Sequence, residues 1–133
     1  MRYPTAISRT LGFRLIVIGE AEAVLAVDAR VDRVGNQQGT VHGGFLTELA
    51  DAAIGTACST LMGPGESFTS IGLAATFLRP SWDGGLTATA RATHVGRTVS
   101  HWSCVITRDT DGKDVMTATS TVMTLRGEQA AGR

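Results

Sequence analysis

The chain has 133 residues, enough for one continuous core and too few for two, so residues 1–133 read as a single domain. Hydrophobic residues make up 43% and aromatic residues only 5%, which excludes a disordered chain and disfavours an aromatic stacking surface. Twelve basic and twelve acidic side chains balance, so no net field draws the chain to nucleic acid or to an anionic membrane.

Two strand patterns open the chain. Phe13 to Ile18 is rich in β-formers, Gly19 and Glu20 suit a turn, and Glu22 to Val31 alternates Ala23, Leu25, Val27, Ala29 and Val31 with more polar neighbours. A loop containing Gly35, Asn36 and Gly39 follows. From Gly43 to about Thr60 the period changes: Phe45, Leu46, Leu49, Ala50, Ala53 and Ala57 recur at helical spacing, with no proline. That predicts a helix roughly 25 Å long. Its few polar residues predict that most of its circumference is buried.

Gly63-Pro64-Gly65 ends the helix, and four strand patterns come after it. Thr69 to Leu78 stops at Arg79-Pro80, and Trp82-Asp83-Gly84-Gly85 makes a turn. Leu86 to Ala92 alternates, Gly96 breaks the pattern, and Thr98 to Arg108 alternates around Trp102, Cys104 and Ile106. Asp111-Gly112 marks a hairpin before Val115 to Leu125, and Gly127 to Arg133 is a polar tail. The fold class is therefore α+β, an antiparallel sheet around one helix, because a lone helix cannot supply the crossovers of a parallel sheet.

No apolar run approaches the roughly 18 residues of a membrane span. Met1-Arg2-Tyr3-Pro4-Thr5 lacks the pattern of a secretory leader, so the cytoplasm is the expected compartment. Cys58 and Cys104 form no disulfide framework and are expected free and buried. His42, His94 and His101 show no metal-binding spacing, and His94 and His101 read as sheet-surface residues. No Gly-x-Ser-x-Gly elbow is present.

The informative segment runs from Asn36 through Gly39, His42, Gly43 and Gly44 into the helix that carries Asp51. A helix start leaves backbone N–H groups unpaired and favours negative charge. Two glycines there let a carbonyl approach the Gly43 N–H, and His42 sits where it can donate to the same oxygen. By local chemistry alone, the glycines also read as a turn and cap, and Asp51 as a hydrogen-bonded structural group. On one straight helix, His42 and Asp51 would lie about 13 Å apart and half a revolution out of phase. They cannot then serve one carbon from a single chain. A two-fold dimer with its helices side by side would set His42 and Gly43 of one chain opposite Asp51 of the other, giving two equivalent sites.

This combination resembles the signature of PaaI-type hotdog thioesterases, the phenylacetyl-CoA and 4-hydroxybenzoyl-CoA thioesterase group. The resemblance runs from about Gly12 to Leu125 and includes Phe77-Leu78-Arg79-Pro80 and Gly96-Arg97-Thr98. It implies a hotdog fold, a homodimer that often pairs into a homotetramer, an acyl-CoA substrate, and neither a metal nor an organic cofactor. By motif position, Asp51 matches the general base or nucleophile and Gly43 the oxyanion-hole donor. His42 and Asn36 match residues that hold the carbonyl and shape the loop. Ser70, with Thr69 beside it, matches a small hydroxyl residue that positions water. Water activation is favoured over direct attack, because Asp is a methylene shorter than the Glu of some relatives. Gly44 and Phe45 belong to the expected substrate pocket, and Arg97, then Arg79, suit the coenzyme A phosphates. Three rivals stay open: a non-catalytic acyl-CoA-binding hotdog, a hotdog hydratase or dehydratase, and a structural β-sandwich.

Overall fold

The helical periodicity beginning at Gly43 produces a 17-residue helix, Gly43–Ser59. In the computed structural model, which describes residues 1–133, it is the third of three helices. The elements are α1 (Ala6–Leu11), β1 (Arg14–Gly19), β2 (Glu22–Ala29), α2 (Val31–Val34), α3 (Gly43–Ser59), β3 (Glu66–Phe77), β4 (Gly84–Val95), β5 (Val99–Arg108) and β6 (Asp114–Arg126), closed by a 3-10 turn, Gly127–Ala130. The six strands form one antiparallel sheet in the order β1-β2-β4-β5-β6-β3, curved around α3. This is the hotdog arrangement, and no helix is long and apolar enough to cross a membrane.

The small residues of α3 explain how closely the sheet approaches it. Ala50, Ala53 and Ala57 are wholly buried, as are Ala23, Ala88 and Ala90 on the strands facing them. Larger side chains fill the spaces between. Leu49 and Ile54 from the helix meet Leu25, Trp102 and Ile106 from the sheet, all fully enclosed in one cluster. Removing each Leu or Ile side chain from water contributes about 1.5–3 kcal/mol. On β5 the alternation is strict: Ser100, Trp102, Cys104 and Ile106 point inward, and the Trp102 indole donates to Ser100 Oγ at 2.7 Å. Cys58 and Cys104 are free and buried, and burial pushes their thiols up to about 11 and about 12.

The structure departs from the sequence expectation in several places. A short helix, α1, precedes the first strand. Thr5 caps it by accepting from the Ser8 N–H at 3.1 Å, and Gly12 ends it at φ 80°. Both signals stand in the sequence, but six residues are too few to show a helical period. Second, β2 stops at Ala29, and Val31, expected as its last inward residue, instead starts α2. The Val31 N–H donates to Asp83 Oδ1 at 2.8 Å, a long-range bond that a local pattern cannot reveal. Third, β3 begins at Glu66, and the polar tail folds into the 3-10 turn.

β3 is an edge strand of 12 residues, hydrogen-bonded only to β6. It buries only Ser67 outright, and leaves Ile71 57% and Phe77 55% exposed. Ile71 is an extra residue in the ladder, between the Ser70–Val122 and Gly72–Thr121 pairs. A long apolar edge left uncovered is a template for pairing with another chain.

A candidate active site at the start and middle of one helix

The loop before α3 is held from within by Asn36. Its Oδ1 accepts from the Gln38 and Thr40 N–H groups at 2.9 and 3.1 Å, and its Nδ2 donates to Thr40 Oγ1 at 2.8 Å. The chain then returns alongside its neighbours. Val41 N–H donates to the Ser81 carbonyl and His42 N–H to the Val34 carbonyl, both at 2.8 Å. Asn36 thus shapes the loop, and Ser81 and Val34 hold the two residues that lead into the helix.

At that start almost every donor is used. The Gly44 N–H donates to His42 Nδ1 at 2.8 Å, and the Phe45 and Leu46 N–H groups reach the His42 carbonyl at 3.0 and 3.2 Å. The Gly43 N–H has no acceptor in the chain. It is the one unspent donor at the positive end of a 17-residue helix dipole. Because Nδ1 of His42 accepts, the ring proton of the neutral imidazole sits on Nε2, on an exposed side chain. Glycine at 44 makes this possible: a Cβ there would lie 3.0 Å from His42 Nδ1. A Cβ at Gly43 would meet the Phe77 ring at 3.0 Å. The Gly43 surface opens on a shallow cavity of about 390 Å³, lined by Asn36, Gln38, Thr40, Phe77 and Arg79 among others.

Two turns further along α3, Asp51 is half-buried and opens on a different cavity, of about 380 Å³. Burial is the sole cause that raises its carboxyl above the ordinary carboxylate value; no cation or hydrogen bond offsets it. Asp51 makes no ion pair or side-chain hydrogen bond within the chain, unlike a carboxylate held by structural partners. Glu48, three residues earlier on the helix, lines the same cavity. Its carboxyl is raised by burial and then by the charge of Asp51. Glu48 was not expected at the site, although its spacing from Asp51 was a readable signal.

The remaining predicted residues separate. Ser70 is exposed and Thr69 half-buried on β3, and neither lines the Asp51 cavity of its own chain, whereas Phe68 does. Phe45 lies in the core, its ring edge-on to Phe13 with centroids 5.6 Å apart. Arg79 is exposed beside the Gly43 cavity, its Nη1 donating to the Asp114 carbonyl at 2.8 Å. Arg97 is also exposed but borders a separate cleft near the far end of α3, where its carbonyl accepts from Arg126 Nη2 at 2.7 Å. His94 and His101 lie exposed on the sheet surface. No cluster of three or more His, Cys, Asp or Glu side chains is placed to hold a metal ion.

Known proteins resemble this chain in sequence and fold. A family model described as the thioesterase superfamily matches residues 38–115, from the loop before α3 to the start of β6. A 1,4-dihydroxy-2-naphthoyl-CoA hydrolase from Listeria monocytogenes is 27% identical over 105 residues, 79% of this chain and 85% of its own. The acyl-coenzyme A thioesterase PaaI of Escherichia coli is 34% identical over 95 residues, 69% of this chain and 64% of its own. Among solved structures, Escherichia coli PaaI superposes with a TM-score of 0.85 at 28% identity, covering 93% of this chain and 87% of that one. A phenylacetic acid degradation-related protein from Ralstonia eutropha superposes with a TM-score of 0.84 at 30% identity, covering 92% of each chain.

Proposed function

The chain belongs to the thioesterase superfamily as a PaaI-type hotdog thioester hydrolase, and from that premise we propose that it cleaves acyl-coenzyme A using Asp51 of one chain and the His42-Gly43 pair of a second. The observation that carries this reading is the division of one helix. Its only unspent N-terminal donor, Gly43 N–H, and its unpaired carboxyl groups, Asp51 and Glu48, open on different cavities. Neither cavity alone has both a carbonyl-binding donor and a base. Antiparallel pairing of two copies through the exposed β3 edge brings the complementary halves together, twice per dimer.

In this mechanism the thioester carbonyl oxygen accepts from Gly43 N–H and from His42 Nε2–H. Asp51 takes a proton from a water molecule as its oxygen attacks the carbonyl carbon. Negative charge moves to the carbonyl oxygen, where the two donors and the helix dipole stabilise it. Collapse of the tetrahedral intermediate breaks the carbon–sulfur bond. The proton held by Asp51 passes to the departing sulfur, leaving free acid, the coenzyme A thiol and an ionised Asp51. Arg79, beside the Gly43 cavity, is the better placed of the two arginines to meet a coenzyme A phosphate.

Thiol release from a panel of acyl-CoAs tests the reading. Turnover of at least one thioester with stoichiometric free thiol is expected. Tight acyl-CoA binding without thiol release would make the chain a binding protein, and addition of water to an enoyl thioester without thiol release would make it a hydratase.

A further inference from the structure

We infer that the cavity beside Asp51 is the acyl chamber, that the amino-terminal segment of the same chain roofs it, and that Gly55 and Ile7 set which acyl groups fit. This rests on the proposed thioesterase reading and assigns the acyl half of its substrate. The two cavities on α3 differ in chemistry. The one at Gly43 has a mixed lining, Phe77 and Leu78 beside Asn36, Gln38, Thr40 and Arg79, and its polar groups suit the phosphorylated coenzyme A. The one at Asp51 is walled by Tyr3, Ile7, Ile18, Ala52 and Phe68 beside polar groups such as Arg2, Thr56 and Ser59 and the carboxyl groups of Glu48 and Asp51, and most of its lining surface is carbon. A thioester held at the junction therefore has a polar direction and an apolar direction in which to extend. The apolar direction is the chamber.

The floor follows from helical spacing. Gly55 is four residues after Asp51, so it lies on the same face one turn along α3. It has no side chain to occupy the space, and a Cβ there would touch the Phe68 ring at 3.7 Å, ordinary contact. A longer side chain at 55 has to enter the chamber or displace that ring. The roof follows from the helix that the sequence periodicity does not show. Thr5 caps α1 and the Tyr3 hydroxyl donates to the Phe13 carbonyl at 3.3 Å, which fix the segment's own conformation, and Tyr3 and Ile7 from it line the same cavity as Asp51 and Gly55. At about 380 Å³ the chamber is more than twice the roughly 150 Å³ of an apolar cavity that accepts benzene. Its occupant is an apolar acyl group well beyond acetyl, and both aryl and medium-chain aliphatic acids have that chemistry.

The experiment compares kcat/KM for acetyl-, butyryl-, octanoyl- and phenylacetyl-CoA in the wild type, Gly55→Leu and Ile7→Trp. The wild type should prefer octanoyl- or phenylacetyl-CoA to acetyl-CoA, and the larger of these two values identifies the acyl class. Each variant should lower the ratio of the preferred substrate to acetyl-CoA by about tenfold or more, the scale on which a hydrophobic pocket discriminates by size. Ile7 is exposed on a short surface helix, so its variant remains informative even if Gly55→Leu does not fold. A wild-type preference for acetyl-CoA, or variants that change all four substrates by the same factor, would overturn the chamber while leaving the thioesterase reading intact. Absence of turnover on every substrate would overturn both.

Discussion

Asp51→Asn is expected to lower kcat/KM by about a hundredfold to ten-thousandfold, the range for removing a group that moves a proton in the rate-limiting step. The same substitution should make the protein more stable near neutral pH. Burial raises the Asp51 carboxyl above the ordinary carboxylate value, so the folded chain holds that proton more tightly than the unfolded chain does. The stability this group contributes is fully present below the unfolded value and is lost as pH rises through the raised one. At pH 8 the native protein thus carries an unpaired, half-buried charge that asparagine lacks. A rise in Tm together with the loss of turnover separates a catalytic aspartate from a structural one, whose removal lowers both. In the wild type, the acid limb of the pH profile of kcat/KM should lie above the ordinary carboxylate range, because activity requires the ionised base.

Loss of the His42 donor is the next largest effect. His42→Asn is expected to reduce kcat about a hundredfold, the lower end of the range for deleting one oxyanion-hole donor. His42 also caps α3 through Nδ1, and asparagine is a good cap. The Asn variant should therefore retain stability while losing activity. His42→Ala should lose both, with about 1 kcal/mol of stability lost in urea denaturation. Equal stability in the two variants would mean the cap bond contributes nothing. Unchanged turnover in the Asn variant would remove His42 from the site.

Much of this was legible in the sequence because it depends on local periodicity. The change from alternation to three- and four-residue spacing at Gly43 located α3, and alternation around Trp102 and from Val115 to Leu125 located β5 and β6. Helical arithmetic alone separated His42 from Asp51, and in the structure Gly43, next to His42, borders one cavity and Asp51 another. What escaped the sequence depends on contacts between distant residues. Val31 leaves β2 for α2, its N–H bonded to Asp83 across 52 residues. The Phe77 ring on Gly43 and the Phe68 ring on Gly55 come from a strand whose alternation says nothing about which turn of a helix it crosses. Glu48 shows a different limit. Its spacing from Asp51 was visible, but the burial that raises both carboxyl groups was not.

The central claim, that each site is built from two chains, is tested most directly by pairing two inactive variants. Asp51→Asn and His42→Asn chains carrying different affinity tags are co-expressed, and the heterodimer is isolated through both tags. One of its two sites then combines an intact Asp51 with an intact His42-Gly43 start, and the other combines both defects. The heterodimer is predicted to recover about half the wild-type activity per dimer, although either homodimer has almost none. Activity no higher than that of the two parent variants would contradict the account and confine each site to a single chain.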